Sequence, residues 1–377
     1  MLTPMHFQDA HASRILRTIF AARKPGAAPR LLALLGLALA LALALPGAMS
    51  AAQEPAKAKV SLAVMGDSNS LSYQDHVSLH NPEQRGGAFR ARTLQWGEVI
   101  ARLRGNEVDP GPWEISGVSN PALRWLDVLG IPVARAPRKA DYRYNFANDG
   151  ADCSQLMGTR RRQAPRLVRL MDKEPQRWQH GVVVIRIGLS DLARVIDIQA
   201  QTPGVPAVQA ALQGCQAYFR EAVALIRSRH PATHIVLVNA FEDSQDAAYL
   251  QRWQSAREIE NIARMFDAHD EGLRAIVAQV PNISFFDDRA WFRRHWGARD
   301  ANGKPAFKTV AIGPKLRVTH SVGDAPTHSM LADNHNGMVW NVLWAQAMVA
   351  HLHDVAKLPI TPISDEEVER LVRSLTE

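Results

Sequence analysis

Four short apolar runs, each ending in a turn or loop, constrain this chain most. Val60–Met65 (VSLAVM) stops at Gly66-Asp67-Ser68, and Gly181–Ile187 (GVVVIRI) stops at Gly188-Leu189-Ser190-Asp191. His234–Asn239 and Ile283–Phe286 follow further on. Runs of strand length that are apolar at successive positions are buried on both faces. Helical patterns separate them, over roughly 93–104, 154–178, 208–229, 255–280 and 337–353, with a short capped helix after Ser364. In the first of these, Leu94, Val99, Ile100 and Leu103 recur at helical spacing. Strands alternating with helices predict a parallel sheet covered on both sides, as one α/β domain. Residues 71–90, 105–141 and 288–330 read as loop-rich connections.

The first 52 residues are expected to lie outside that domain. Residues 31–45 (LLALLGLALALALAL) carry no charge, follow Arg14, Arg17, Arg23, Lys24 and Arg30, and precede Pro46-Gly47 and a small-residue stretch. A basic segment, a short apolar core and small residues before a cleavage point are the parts of a secretory signal. Cleavage before Gln53 would place Ser50 and Ala52 at the −3 and −1 positions. The apolar run is shorter than the ~20 residues a spanning helix needs. The expected organisation is therefore a signal over 1–52 and one domain over 53–377, periplasmic or secreted, with no stable membrane span after cleavage.

Charge then loses most of its meaning. The formal net charge is +7, from 44 basic and 37 acidic residues. Five of the basic residues and Asp9 lie in 1–52, which leaves 39 against 36, or +3. A balance that even gives no footing for nucleic acid. The two cysteines, Cys153 and Cys215, exclude a disulfide-rich scaffold and a four-cysteine zinc site. One disulfide between them remains open.

In a parallel α/β sheet, ligands bind beyond the carboxyl ends of the strands. The chemically interesting residues fall there. Ser68 sits on the first turn, where its hydroxyl projects and backbone N–H groups face a developing oxyanion. Asn145 and Gly150 lie in Asn145-Phe146-Ala147-Asn148-Asp149-Gly150, and glycine lets backbone approach a ligand. Ser190 lies on the third turn, where Asp191 also reads as a helix cap. Asp333-Asn334-His335-Asn336-Gly337 precedes the last long helix. His335 is a natural base for a serine, and a carboxylate would fix its tautomer. Taken singly, each is as well explained by an ordinary turn or cap.

Taken together, in this order, they resemble the SGNH hydrolases, the GDSL-type esterase and lipase superfamily, from Val60 to about His353. The resemblance implies a three-layer α/β/α fold with a parallel, flavodoxin-like sheet. It implies Ser68 as nucleophile, His335 as base and Asp333 as its partner, with Ser68, Gly150 and Ser190 supplying the oxyanion hole. It implies an acyl-enzyme mechanism with no metal and no organic cofactor, acting on an ester: an acyl group on carbohydrate, or a small or lipid ester. Two departures stand out. The family's third turn carries Asn where this chain has Ser190. Its Asp-x-x-His is shortened here to Asp333-x-His335, which leaves Asp324 and His328 as a competing pair. A non-catalytic binding protein on the same fold and an O-acyltransferase are the alternatives.

Two other features read as structure. Arg160-Arg161-Arg162 fits a solvated helix face. Trp291, Phe292 and Trp296, interleaved with Arg293, Arg294 and His295, fit core packing with snorkelling arginines.

Overall fold

The computed structural model describes residues 58–377 apart from 119–125, 127–128, 130, 132–136, 159–160 and 301. The signal expected over 1–52 and Arg160 lie outside the described residues. Lys57–Glu377 cluster as one unit.

The apolar runs become a parallel sheet. Its strands are β1 (Val60–Gly66), β2 (Val108–Asp109), β3 (Val182–Arg186), β4 (His234–Val238) and β5 (Ile283–Phe286). Their spatial order is β2-β1-β3-β4-β5, and every neighbouring pair is parallel. That is the flavodoxin-like order, which reverses direction between β1 and β3. A ligand crevice is expected beyond the carboxyl ends of those two strands.

Strand alternation sorts the core into two layers. Val60, Leu62, Val64, Val182, Val184, Val236 and Val238 face one way. They pack on α1 (Trp96–Arg104) and, from the carboxyl-terminal part of the chain, on the helices Asp288–Trp296, Met338–Asp354 and Asp365–Thr376. Ala63, Met65, Val183, Ile185, Ile235 and Leu237 face the other way, onto α2 (Gln163–Met171), α3 (Pro206–Arg229) and α4 (Ala256–Gln279). The result is the three-layer α/β/α architecture that the resemblance implied. Among the described residues, no helix is long and apolar enough to cross a membrane.

Three local expectations differ from the structure. The helix expected over 154–178 is broken into Ser154–Met157, α2 and a 3-10 turn at Arg177–His180. Gly158 leaves the helix with extended backbone, and Arg161 and Arg162 take positive φ of 70° and 50°. Those arginines therefore sit at a break, not on a helix face. The loop over 105–141 contains β2 and an antiparallel hairpin of Trp113–Ser116 with Lys139–Tyr142. The loop-rich 288–330 opens with the helix Asp288–Trp296, whose Trp291, Phe292 and Trp296 are buried core.

Candidate active site

The turn after β1 is held from all sides. A Cβ on Gly66 would lie 2.6 Å from the Arg186 carbonyl and 2.9 Å from Ser70 Cβ, so only glycine fits. The Gln163 side-chain amide grips this peptide at both ends: Gly66 N–H donates to Oε1 at 2.8 Å, and Nε2 donates to the Gly66 carbonyl at 2.9 Å. Asp67 accepts the Asn69 N–H at 2.9 Å, which makes a local Asx turn. The Asn69 carbonyl accepts three donors: Gln95 Nε2, Trp96 Nε1 and Arg186 Nη1, at 2.8, 3.2 and 2.9 Å. Arg186 is itself fixed by a buried 2.8 Å pair with Asp288. Between two such anchored neighbours, Ser68 is the half-buried residue in an otherwise buried run. Among the described residues its hydroxyl makes no hydrogen bond.

The second turn runs alongside β1. Phe146 N–H donates to the Val64 carbonyl at 2.7 Å, and Asn148 N–H to the Gly66 carbonyl at 3.1 Å. Asn145 Nδ2 reaches the Ser70 carbonyl at 2.9 Å. Asn145 thus braces the Ser68 turn, while Gly150 lies at the open end of its own turn. Gly150 has φ +61°, and an added Cβ would touch nothing within 4 Å. Glycine is needed there for the left-handed backbone, not for space.

The third turn, after β3, begins at Gly188 with φ +123°. Ser190 is half-buried in the short helix Leu189–Ala193. The sequence marks Asp191 as a cap for that helix, but Gly188 holds the N-cap position and Asp191 lies in the first turn. Its carboxylate accepts the Cys153 N–H at 2.8 Å and so holds the Gly150 turn to the third turn. Burial pushes the Asp191 carboxyl up to about 6. Cys153 and Cys215 form a disulfide, and both sulfurs pack beneath Gly188, within 3.5 Å of where its Cβ would be.

The last turn brings Asp333 and His335 together despite the short spacing. His335 Nδ1 lies 2.9 Å from the Asp333 backbone carbonyl and 3.2 Å from its Oδ1. The Asp333 carbonyl is the ring's hydrogen-bond acceptor and the carboxylate lies within ion-pair range, which favours the tautomer protonated at Nδ1 and leaves the Nε2 lone pair free. Burial raises the Asp333 carboxyl, but bonding and charge from His335 and Arg85 outweigh it and hold the group well below the usual carboxylate range. Asp67, beside Ser68, is pushed up by burial and pulled back by the Asn69 N–H, Arg186 and His335. Tyr73 O–H crosses to the Asn336 carbonyl at 3.1 Å. No hydrogen bond joins Ser68 to His335, and such bonds are often long before substrate enters. The competing residues do not pair with each other. His328 Nδ1 meets Ser321 Oγ at 2.8 Å, and Asp324 accepts the Ala332 N–H at 3.0 Å.

Sequence reading missed Arg85, Tyr73 and Gln163, all buried near these turns. Arg85 and Tyr73 fell within a polar stretch read as loop. Their partners Asp333 and Asn336 lie 248 and 263 residues away, so no local pattern marks them.

No protein-family model and no curated protein matches the sequence. Solved structures do. An acetylxylan esterase variant from Geobacillus stearothermophilus is 13% identical, with 80% of this chain and 98% of that one covered and a TM-score of 0.38. An extracellular lipase from Streptomyces rimosus is 13% identical, with 76% and 99% covered and a TM-score of 0.38. A lipase from a goat rumen metagenome is 14% identical, with 66% and 90% covered and a TM-score of 0.34. The likeness is one of fold.

Proposed function

We propose that this protein is an exported serine ester hydrolase of the SGNH hydrolase superfamily. The observation that supports the reading is the Asp333–His335 pair, on a loop that Tyr73 ties at Asn336 to the segment following the Ser68 turn. Ser68 Oγ attacks the ester carbonyl as His335 Nε2 takes its proton. Asp333 keeps the other ring nitrogen protonated and stabilises the imidazolium that forms. The backbone N–H groups of Ser68 and Gly150, with the Ser190 hydroxyl, receive the oxyanion. His335 returns the proton to the leaving alcohol. Water, activated by the same base, then releases the acid from Ser68.

The substrate class is an acyl ester, on carbohydrate or on a small or lipid alcohol. A fluorophosphonate probe together with short-chain nitrophenyl esters tests the reading. Labelling and hydrolysis are expected in the wild type and lost in Ser68→Ala and His335→Ala. Equal labelling of wild type and Ser68→Ala refutes it. Export is tested separately, by N-terminal sequencing of protein recovered outside the cytoplasm, with a start at Gln53 expected.

A further inference from the structure

Arg85 has no part in the chemistry above, yet its guanidinium bridges two carboxylates at the site, those of Asp333 and Asp149. Its side chain is 1% exposed, in a segment that reads as polar loop. Its backbone N–H and its Nη1 both donate to Asp333 Oδ2, at 2.9 and 2.5 Å. Its Nη2 donates to Asp149 Oδ1 at 2.8 Å. Asp149 is half-exposed and directly precedes Gly150. The guanidinium also lies over the Tyr73 ring, 5.5 Å from its centroid.

The backbone is strained to deliver these donors. Arg85, Gly86 and Gly87 have φ of +58°, +107° and +50°. A left-handed non-glycine residue is strained and persists only where surrounding contacts over-determine it. Here the strained turn points the Arg85 N–H at the carboxylate.

We propose that Arg85 is a positioning residue that fixes the Asp333 carboxylate against His335 and couples it to the Gly150 turn. This rests on the esterase reading. Two donors on Oδ2 fix the rotation of the carboxylate and leave Oδ1 turned to the imidazole. The second arm, through Asp149, ties that arrangement to the oxyanion side of the crevice. The His335 loop and the Gly150 turn are thereby tied to one another through one guanidinium. Arg85 Nη1 also lies 3.0 Å from His335 Nδ1. With Nδ1 protonated that approach is not a hydrogen bond, and the Asp333 carbonyl at 2.9 Å is the acceptor that holds the proton there.

The test compares wild type, Arg85→Ala, Arg85→Lys and Asp149→Asn, with a melting curve for each. The expected result is a loss of about 10²-fold in kcat for Arg85→Ala with KM nearly unchanged, the scale of a small misplacement of catalytic groups. Millimolar guanidinium is expected to restore part of that rate, and to do nothing for Ser68→Ala. Arg85→Lys should fall between the two, and Asp149→Asn should lose a few-fold in kcat while melting like wild type. A folded Arg85→Ala at the wild-type rate overturns the proposal. A faster variant also overturns it, because it means the guanidinium holds Nδ1 as an acceptor in the unproductive tautomer. If Arg85→Ala does not fold, wild-type kcat in both Arg85→Lys and Asp149→Asn overturns it. If wild type shows no Ser68-dependent labelling, the esterase reading fails by itself. Imidazole ¹⁵N shifts of His335 then decide the Arg85 role: an Nδ1–H tautomer that becomes mixed in Asp149→Asn supports it, and one indifferent to Arg85 and Asp149 refutes it.

Discussion

Replacing both Cys153 and Cys215 with alanine removes a cross-link between residues 62 apart in sequence. In the chain-entropy description, opening a loop of that length costs about 4 kcal/mol, because the unfolded chain regains its freedom. Alanine leaves no buried hydroxyl behind, so the loss belongs to the cross-link and to the small volume of two sulfurs. For a domain of this size about 4 kcal/mol lowers the melting temperature by roughly 10 °C. Activity should suffer less than stability, since Asp191 still accepts the N–H of residue 153 and still ties the Gly150 turn to the third turn. Thermal unfolding followed by circular dichroism, beside nitrophenyl ester turnover at 25 °C, gives both numbers. A double variant melting within about 2 °C of wild type would refute the entropic reasoning. One that keeps its melting temperature but loses turnover would instead make the disulfide a positioning element.

Three further outcomes follow from the site. Ser190→Asn supplies the side-chain N–H that the SGNH family places there, and should raise kcat by up to about 10²-fold at constant KM; a fall in kcat would mean that the hydroxyl is already the better donor. His335→Ala should cost more than about 10³-fold in turnover, whereas His328→Ala should stay near wild type; the reverse order would move the base to the other loop. His269 is buried beside the disulfide, with neither ring nitrogen bonded and burial pushing it down to about 4. An unfolded histidine titrates near 6.5, so the unfolded chain binds this proton first, and wild type loses stability as pH falls from about 6.5 toward 4. His269→Phe should remove that loss. Its advantage over wild type in denaturant titrations should widen as pH drops through that window, and an advantage that shrinks would show that the imidazole is bonded or charged in the fold.

The sheet was legible because its strands are apolar on both faces, so β1, β3, β4 and β5 appear in sequence within a residue or two of their ends. β2 was not. It is two residues long and owes its pairing to Val60 and Ser61 of β1, not to any pattern of its own. The break inside the expected helix over 154–178 was hidden for a similar reason, since left-handed arginines leave no compositional mark. At the site, Ser68, Gly150, Asp333 and His335 could be named because they occupy turns that follow recognisable strands or precede a helix. Gln163 could not. Its role comes from reaching Gly66 across 97 residues, and a glutamine that opens a helix is commonplace in sequence. Asp191 was misassigned as a cap because a first-turn aspartate beside Ser190 satisfies that pattern, whereas its actual partner lies on another turn.

The long reach of these contacts bears on how the chain acquires its shape. Tyr73 with Asn336, Arg85 with Asp333 and Arg104 with Glu367 close loops of about 250 residues. Contacts of such separation form late, because most of the chain must be ordered before the closing entropy is repaid. A nascent chain that has emerged only as far as residue 330 carries Ser68 and Gly150 but lacks His335, the base of the proposed mechanism. It also leaves one face of the sheet uncovered, since Trp340, Trp344 and Met348 are still to come. On that mechanism such a chain is chemically silent and sticky at once. The proposed reactivity and the covering of the sheet then arrive in the same closing event, and a truncation before residue 335 forfeits both.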